Sequence, residues 1–129
     1  MSQYHAAVWL DHAEAHVMHI SPDDVERSIV RPEGGRPHLH VKSGIVGSGH
    51  RSGDAKYYHE IAEALRGAQE ILIVGPGQAK VELMKHLQKH DPQVAERVVG
   101  IESIDHPTDN QLVAYARRYF HAKDQMLGH

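Results

Sequence analysis

A short apolar run flanked by glycine turns constrains this fold more than any other feature of the sequence. Residues 70–74 read EILIV, and the turn that follows reads Gly75-Pro76-Gly77. A strand that is apolar at nearly every position, rather than at alternate ones, is typical of a central parallel strand. The run therefore predicts an α/β protein whose sheet is buried on both faces at this strand.

The N-terminal region predicts an antiparallel meander of three strands. These strands are HAAVWLD at residues 5–11, AHVMHI at 15–20 and VERSIVR at 25–31. The segments between them, HAE and SPDD, are turns by composition, because proline presets φ and aspartate hydrogen-bonds to nearby backbone. Strands joined by such short turns pair with each other in antiparallel fashion.

Helices alternate with strands in the rest of the chain. Helical periodicity runs from Asp54 to Gly67, from Gln78 to His90 and from Asp109 to Lys123, and a further strand is predicted at 97–104. Thr108 and Gln111 form a capping box for the last helix. The first of these helices is expected to bury Ala55, Tyr58, Ile61, Ala62 and Leu65. Its adjacent tyrosines, Tyr57 and Tyr58, are not expected to face the core together.

The resulting order is β-β-β-α-β-α-β-α within a single domain, residues 1–129. A five-stranded mixed sheet of this order, with helices packed on it, is the ribonuclease H-like architecture. The chain has no cysteine, which excludes a disulfide framework and a thiol nucleophile. No apolar run approaches the ~20 residues that span a bilayer, so no membrane contact and a cytoplasmic location are expected.

A long glycine-rich connection, residues 32–53, is the main candidate for function, since loops beyond ~15 residues are uncommon unless functional or disordered. Residues 37–41 could add a short strand within it. Between Arg31 and His59, five Lys and Arg face two acids, which is 5 − 2 = +3 and leaves −6 for the rest of a chain of net charge −3. The side chains predicted to contact RNA phosphates are Arg36, His38, His40, Lys42, His50, Arg51 and Lys56. A solvated loop that happens to be basic is the alternative.

The remaining motifs carry weaker predictions. Gly75 and Gly77 form either a structural turn or an anion site at a helix N-terminus. The pairs His38/His40 and His86/His90 have metal-ligand character, but no third ligand is evident near them in the sequence, and zinc sites need three or four. We therefore expect no metal site and no cofactor.

Several segments resemble the middle domain of archaeal and eukaryotic class-1 peptide-chain release factors and of the ribosome-rescue protein pelota. The resemblance lies in WLDHAEAHV, in ILIVGPGQAKVELMKHL and in RVVGIESIDHPTDNQLVAYARRYF. The run DAKYYH, residues 54–59, further resembles a bacterial group of small stand-alone relatives called translational machinery proteins. This resemblance implies a partner in the translation machinery: ribosomal RNA, transfer RNA or the ribosome.

One departure from that family bears on catalysis. Release factors carry Gly-Gly-Gln in the loop before the first helix, and its glutamine positions the hydrolytic water. This chain has Gly34-Gly35-Arg36 and no glutamine from 32 to 53, and arginine cannot accept a hydrogen bond from water.

The expected function is thus non-catalytic RNA or ribosome binding, with a role in rescue or stress response. One alternative is a homo-oligomeric structural or regulatory protein. A second is a metal-dependent nuclease using Asp11, with Asp105 and Asp109 as further acids. In the non-catalytic interpretation, Asp11 bonds the backbone of the turn at residues 12–14.

Overall fold

The computed structural model describes residues 5–32 and 46–126, apart from the side chains of residues 46–54 and 124–126. Five strands and four helices follow one another in these ranges. They are β1 (His5–Leu10), β2 (Ala15–Ile20), β3 (Val25–Val30), α1 (Val46–Leu65), β4 (Glu70–Gly75), α2 (Ala79–His90), α3 (Pro92–Ala95), β5 (Val98–Ser103) and α4 (Asp109–Met126). None of the described helices is long and apolar enough to cross a membrane.

The strands form one mixed sheet in the order β3-β2-β1-β4-β5. β1 pairs with β2 and β2 with β3 in antiparallel fashion, whereas β1–β4 and β4–β5 are parallel. The short turns after β1 and β2 allow only antiparallel pairing, and the helical crossovers before β4 and β5 return the chain in parallel. The predicted α/β, ribonuclease H-like sheet is confirmed.

Helices cover both faces of this sheet. On one face α1 and α2 pack against Val8, Leu10 and Val17, and on the other α4 packs against Trp9 and Met18. Strand β4 contributes alternate side chains to each core, with Ile71 and Ile73 on the α1 side and Leu72 and Val74 on the α4 side. All four of these side chains are fully buried. As predicted, the run is continuously apolar because both faces of β4 are covered.

Four strands end at the same edge of the sheet, which we call the carboxyl edge. Leu10 of β1 lies opposite Ala15, and Ala15 lies opposite Val30, the last residue of β3. Trp9 and Glu102 both pair with Val74, so β4 and β5 end at this edge as well. Helices α1 and α2 and the turn after β1 meet here, and this edge holds the candidate site.

The structure differs from the prediction at α1 and α3. Helix α1 begins at Val46, eight residues before Asp54, because each glycine disfavours a helix by only about 1 kcal/mol and does not forbid it. Ala55 is exposed rather than buried. The short helix α3 was not predicted; it starts at Pro92, whose fixed φ suits a first helical position. The predicted strand at 37–41 lies outside the described residues.

Candidate nucleic-acid interface

The predicted RNA-binding residues are described only in part. Lys56 is exposed on α1, at the end of the basic segment nearest the folded body. His50 and Arg51 belong to the backbone of α1, and their side chains lie outside the description. The other four predicted contacts, Arg36, His38, His40 and Lys42, lie outside the described residues. Their binding role therefore stays a prediction.

Both ends of the basic segment, residues 31–56, join the body at the carboxyl edge. On one side, Val30 ends β3 opposite Ala15. On the other side, the Tyr57 hydroxyl donates a 2.8 Å hydrogen bond to the backbone oxygen of Asp11, which directly follows β1. The basic segment therefore leaves the body and returns to it at the same edge of the sheet.

Tyr57 and Tyr58 are both buried, contrary to the prediction that only one could face the core. Their exposed fractions are 1% and 4%. Helix α1 contacts the sheet and α2 together, so two adjacent positions on it are covered by different partners. Tyr57 reaches Asp11, whereas the Tyr58 hydroxyl donates to the Glu82 carboxylate of α2 at 2.9 Å. Neither ring is therefore free to stack on a base.

Asp11 organises the turn that follows β1. Its Oδ1 accepts hydrogen bonds from the backbone amides of Ala13 at 2.8 Å and Glu14 at 3.0 Å. The interpretation that Asp11 bonds the turn backbone is confirmed. Its other oxygen, Oδ2, lies 3.8 Å from Nε2 of His106.

The other two acids of the nuclease alternative face different partners. Asp105 accepts a 2.6 Å hydrogen bond from the Trp9 indole at its backbone oxygen, which attaches the segment after β5 to β1. The Asp109 carboxylate lies 3.2 Å from Nδ1 of His16. Within the described residues, the side chains whose ligand atoms converge as a metal-binding group lie elsewhere, at His59, His86 and Asp91.

A charged network at the carboxyl edge was not predicted from the sequence. His16 contacts Asp109 with one ring nitrogen and Glu14 with the other, at 2.9 Å, and Arg31 contacts the second oxygen of Glu14 at 3.2 Å. Glu14, His16 and Asp109, together with Trp9 and His106, line a shallow cavity of about 130 Å³. The only sequence signal for this charged network is the alternation of AHVMHI, which places His16 on the α4 face of β2.

The hydrogen bond with His16 lowers the pKa of the Glu14 carboxyl below its ordinary value; burial opposes this, and Arg31 adds to it. Glu14 is therefore ionised over a wider pH range when the protein is folded. Because Glu14 is ionised, its carboxylate holds Arg31, the first residue of the basic segment, to the body.

The Glu14→Gln variant is expected to lose less of its free energy of unfolding than the wild type does as the pH is lowered. Because folding lowers the pKa of Glu14, its contribution is present above the unfolded pKa and is lost as pH falls through the folded value. Urea unfolding between about pH 5 and pH 3 should show a shallower decline for the variant than for the wild type. Glu60→Gln, at an exposed position of α1, is the control and should decline like the wild type. Identical declines in both variants would exclude this role of Glu14.

The Gly75-Pro76-Gly77 turn lies between β4 and α2. A Cβ on Gly75 would overlap with the carbonyl oxygen of Leu10, whereas one on Gly77 would meet nothing within 4 Å. Gly75 thus has a structural reason to be glycine, and an anion site at this turn stays a prediction. Lys80, which is 8% exposed, donates from Nζ to the Gly77 oxygen, so its ammonium group is directed at the turn.

Glu82 connects α2 to the turn after β1 and to α1. It accepts the Tyr58 hydroxyl, and His12 lies 3.2 Å from the same oxygen. Burial acts to raise the pKa of Glu82, but the hydrogen bonds with Tyr58 and His12 outweigh it and hold the pKa below its ordinary value. The described part of the edge thus pairs acids with imidazoles, while the excess cations of the sequence lie in the basic segment.

Comparison with known proteins gives matches among solved structures only. No protein-family model matches the chain, and no curated protein matches it. Pelota from Thermoplasma acidophilum superposes with a TM-score of 0.64 at 21% identity, covering 95% of this chain and 34% of that chain. The archaeal translation termination factor aRF1 superposes with a TM-score of 0.63 at 15% identity, covering 95% and 39%.

Dom34 from S. cerevisiae superposes with a TM-score of 0.55 at 14% identity, covering 95% of this chain and 37% of that chain. It is described as a translation termination-like factor involved in RNA quality control pathways and interacting with Hbs1. This chain thus spans a little over a third of the length of these proteins. The predicted resemblance to pelota and the release factors is confirmed at the level of the fold.

Proposed function

We propose that this protein binds RNA of the translation apparatus, on the ribosome or as transfer RNA, without catalysing peptide release. The observation that carries the proposal is the fold likeness to Pelota, aRF1 and Dom34 over at least 92% of this chain. A cytoplasmic location and a role in rescue or in a stress response belong to the same proposal.

Binding is electrostatic in this proposal. The basic segment carries a net charge of +3 between Arg31 and His59, whereas the remaining residues carry −6. Cationic side chains that neutralise phosphates release condensed counterions, which favours binding and makes it sensitive to salt. The anchors at Val30 and Tyr57 hold the segment at one edge, and the acidic remainder would repel RNA from the other surfaces.

Two features support a role without catalysis. The segment between 32 and 53 contains no glutamine that could position a hydrolytic water. Asp11, the first acid of the nuclease alternative, uses Oδ1 to hold the turn at Ala13 and Glu14. Holding the turn gives Asp11 a structural role that requires no metal ion.

Salt titration of RNA binding tests the proposal. The combined substitution of Arg36, Lys42 and Arg51 by glutamine is expected to reduce the slope of log K against log salt by about 3, since about one counterion is lost per phosphate contact. Binding of a labelled transfer RNA or ribosomal RNA fragment would be followed by fluorescence anisotropy at several salt concentrations. Co-sedimentation with ribosomes from a lysate is expected for the wild type and is expected to be lost in this variant.

A control of matched charge uses three exposed cations outside the segment. Lys85, Lys89 and Arg118, also replaced by glutamine, should leave the salt slope at the wild-type value. An equal decrease in both triple variants, or no decrease in the first, would show that the basic segment is not the RNA contact. RNA recovered from magnesium-containing reactions is expected to be intact, and cleavage that disappears in Asp11→Asn would instead favour the nuclease.

A further inference from the structure

Three side chains of metal-ligand type converge where α1 passes the C-terminal end of α2. His59 comes from α1, His86 from α2, and Asp91 follows α2 directly. One potential ligand atom from each lies within 4.8 Å of those of the other two. No third ligand is evident near His86 in the sequence, because His59 is distant in the chain and only folding brings it close.

His86 has a buried ring nitrogen without a partner. Its Nε2 is shielded from solvent, and among the described residues it has no hydrogen-bond partner. The rest of the ring packs against other aromatic rings, at 4.6 Å from the ring centroid of His90 and 6.0 Å from that of Tyr58. A buried polar atom is normally paired, so an unpaired nitrogen in this position indicates a missing partner.

The other two side chains have partners that are compatible with metal binding. His59 Nε2 lies 3.3 Å from the Glu63 carboxylate, and a carboxylate bonded to one nitrogen is a common orienting partner for a histidine that ligates through the other. Asp91 Oδ1 lies 3.3 Å from the Arg66 guanidinium. A carboxylate has further lone pairs, so this contact leaves Asp91 able to ligate as well.

We propose that His59, His86 and Asp91 bind a zinc-class divalent metal ion. Two imidazoles and one carboxylate are a ligand set suited to Zn²⁺, and three protein ligands leave one tetrahedral position for water. Zinc-bound nitrogens and oxygens lie about 2.0–2.2 Å from the metal, which sets neighbouring ligand atoms roughly 3.4 Å apart. From separations of at most 4.8 Å, the ligand atoms would have to approach by about 1.4 Å or less, which we expect rotation of the His59 and Asp91 side chains to allow.

Metal binding would connect two elements that are otherwise joined mainly by side-chain packing. His59 lies in α1, whereas His86 lies near the C-terminal end of α2 and Asp91 joins α2 to α3. An ion that binds the folded state and not the unfolded one raises the melting temperature with its concentration. Since the C-terminal part of the basic segment lies in α1, the metal would also fix the helix that carries it.

Zinc titration of the full chain, prepared without a polyhistidine tag, tests this proposal. Isothermal titration calorimetry is expected to give one tight equivalent of Zn²⁺, and excess zinc should raise the melting temperature by several degrees over an EDTA sample. His59→Gln and His86→Asn should each weaken zinc binding at least tenfold and abolish this shift. Cobalt should give the intense visible absorption of a tetrahedral site in the wild type but not in these two variants.

His121→Asn is the matched control, because His121 is exposed on α4, on the opposite side of the sheet. This variant should bind zinc and cobalt like the wild type, which separates the site from weak adsorption to the other histidines. His59 is itself exposed, so His59→Gln is expected to fold without metal and its circular dichroism would verify this. Equal zinc affinity in the wild type and in His59→Gln would overturn the proposal.

Discussion

Replacing Gly75 with alanine is expected to destabilise the protein by about 3 kcal/mol or more, at the upper end of the range for overpacked interiors. The added Cβ would overlap with the carbonyl oxygen of Leu10 and lie 3.3 Å from its carbonyl carbon. These are backbone atoms of the neighbouring central strand β1, so they cannot move aside as the end of a flexible side chain can. Relief would require β1 and β4 to separate where both reach the carboxyl edge.

Gly77→Ala provides the control two residues away. A Cβ there meets nothing within 4 Å, so the stability should change by no more than about 1 kcal/mol. Chemical denaturation of both variants and of the wild type measures the difference. A similar loss in both variants would mean that the turn needs glycine for its backbone conformation, and an unaffected Gly75→Ala would mean that β1 and β4 are less closely packed than described.

Truncating either side of strand β4 is the second change with a large expected effect. Leu72→Ala and Ile73→Ala should each cost about 2–5 kcal/mol, because each removes a fully buried side chain from a packed core. The two side chains face opposite layers, with Leu72 on the α4 side and Ile73 on the α1 and α2 side. A strand covered on one face only would give one large and one small value.

Ile101→Ala on the edge strand β5 is the matched control. Its side chain is 37% exposed, so the loss should stay below about 1.5 kcal/mol. Urea unfolding of the three variants, analysed with one m-value for all of them, compares their free energies of unfolding. A Leu72→Ala variant as stable as Ile101→Ala would contradict the three-layer arrangement.

The sequence was sufficient for the order of the five strands and the three long helices, but it did not reveal the short helix α3. Residues 70–74 specify a strand buried on both faces, since every side chain from Ile71 to Val74 has an apolar layer to enter. The capping box of α4 is present as predicted: the Gln111 amide donates to the Thr108 hydroxyl at 3.1 Å, and the Thr108 amide donates to the Gln111 side chain at 3.0 Å. Both the apolar run and the capping box consist of residues that are close together in the sequence, so they could be predicted without knowing the fold.

Predictions failed where burial depends on two elements at once. The periodicity of a single helix places only one of Tyr57 and Tyr58 inward, but α1 lies against both the sheet and α2, so both are covered. The predicted start of α1 was wrong for a related reason. Glycine-rich composition argues against a helix, but composition takes no account of how the rest of α1 packs in the fold.

The candidate sites show the same limit. His16 and Asp109 are separated by 93 residues and meet only because α4 starts at the carboxyl edge beside β2. His59 reaches His86 and Asp91 only through the packing of α1 on α2. The positive charge of residues 31–56 could be predicted from the sequence, whereas contacts between side chains that are distant in the sequence could be identified only from the fold.

The body holds Val30 and Tyr57 at one edge of the sheet, which implies that residues 33–45, before the start of α1, can vary independently of the body. Closing a longer connection between fixed ends costs only about 0.6 kcal/mol for each doubling of its length. Substitutions or insertions at residues 33–45, which include neither Arg31 nor any part of α1, would thus leave β1–β5 and their helices nearly as stable as before. Binding specificity in such a chain can therefore evolve, or be redesigned, without changing its framework.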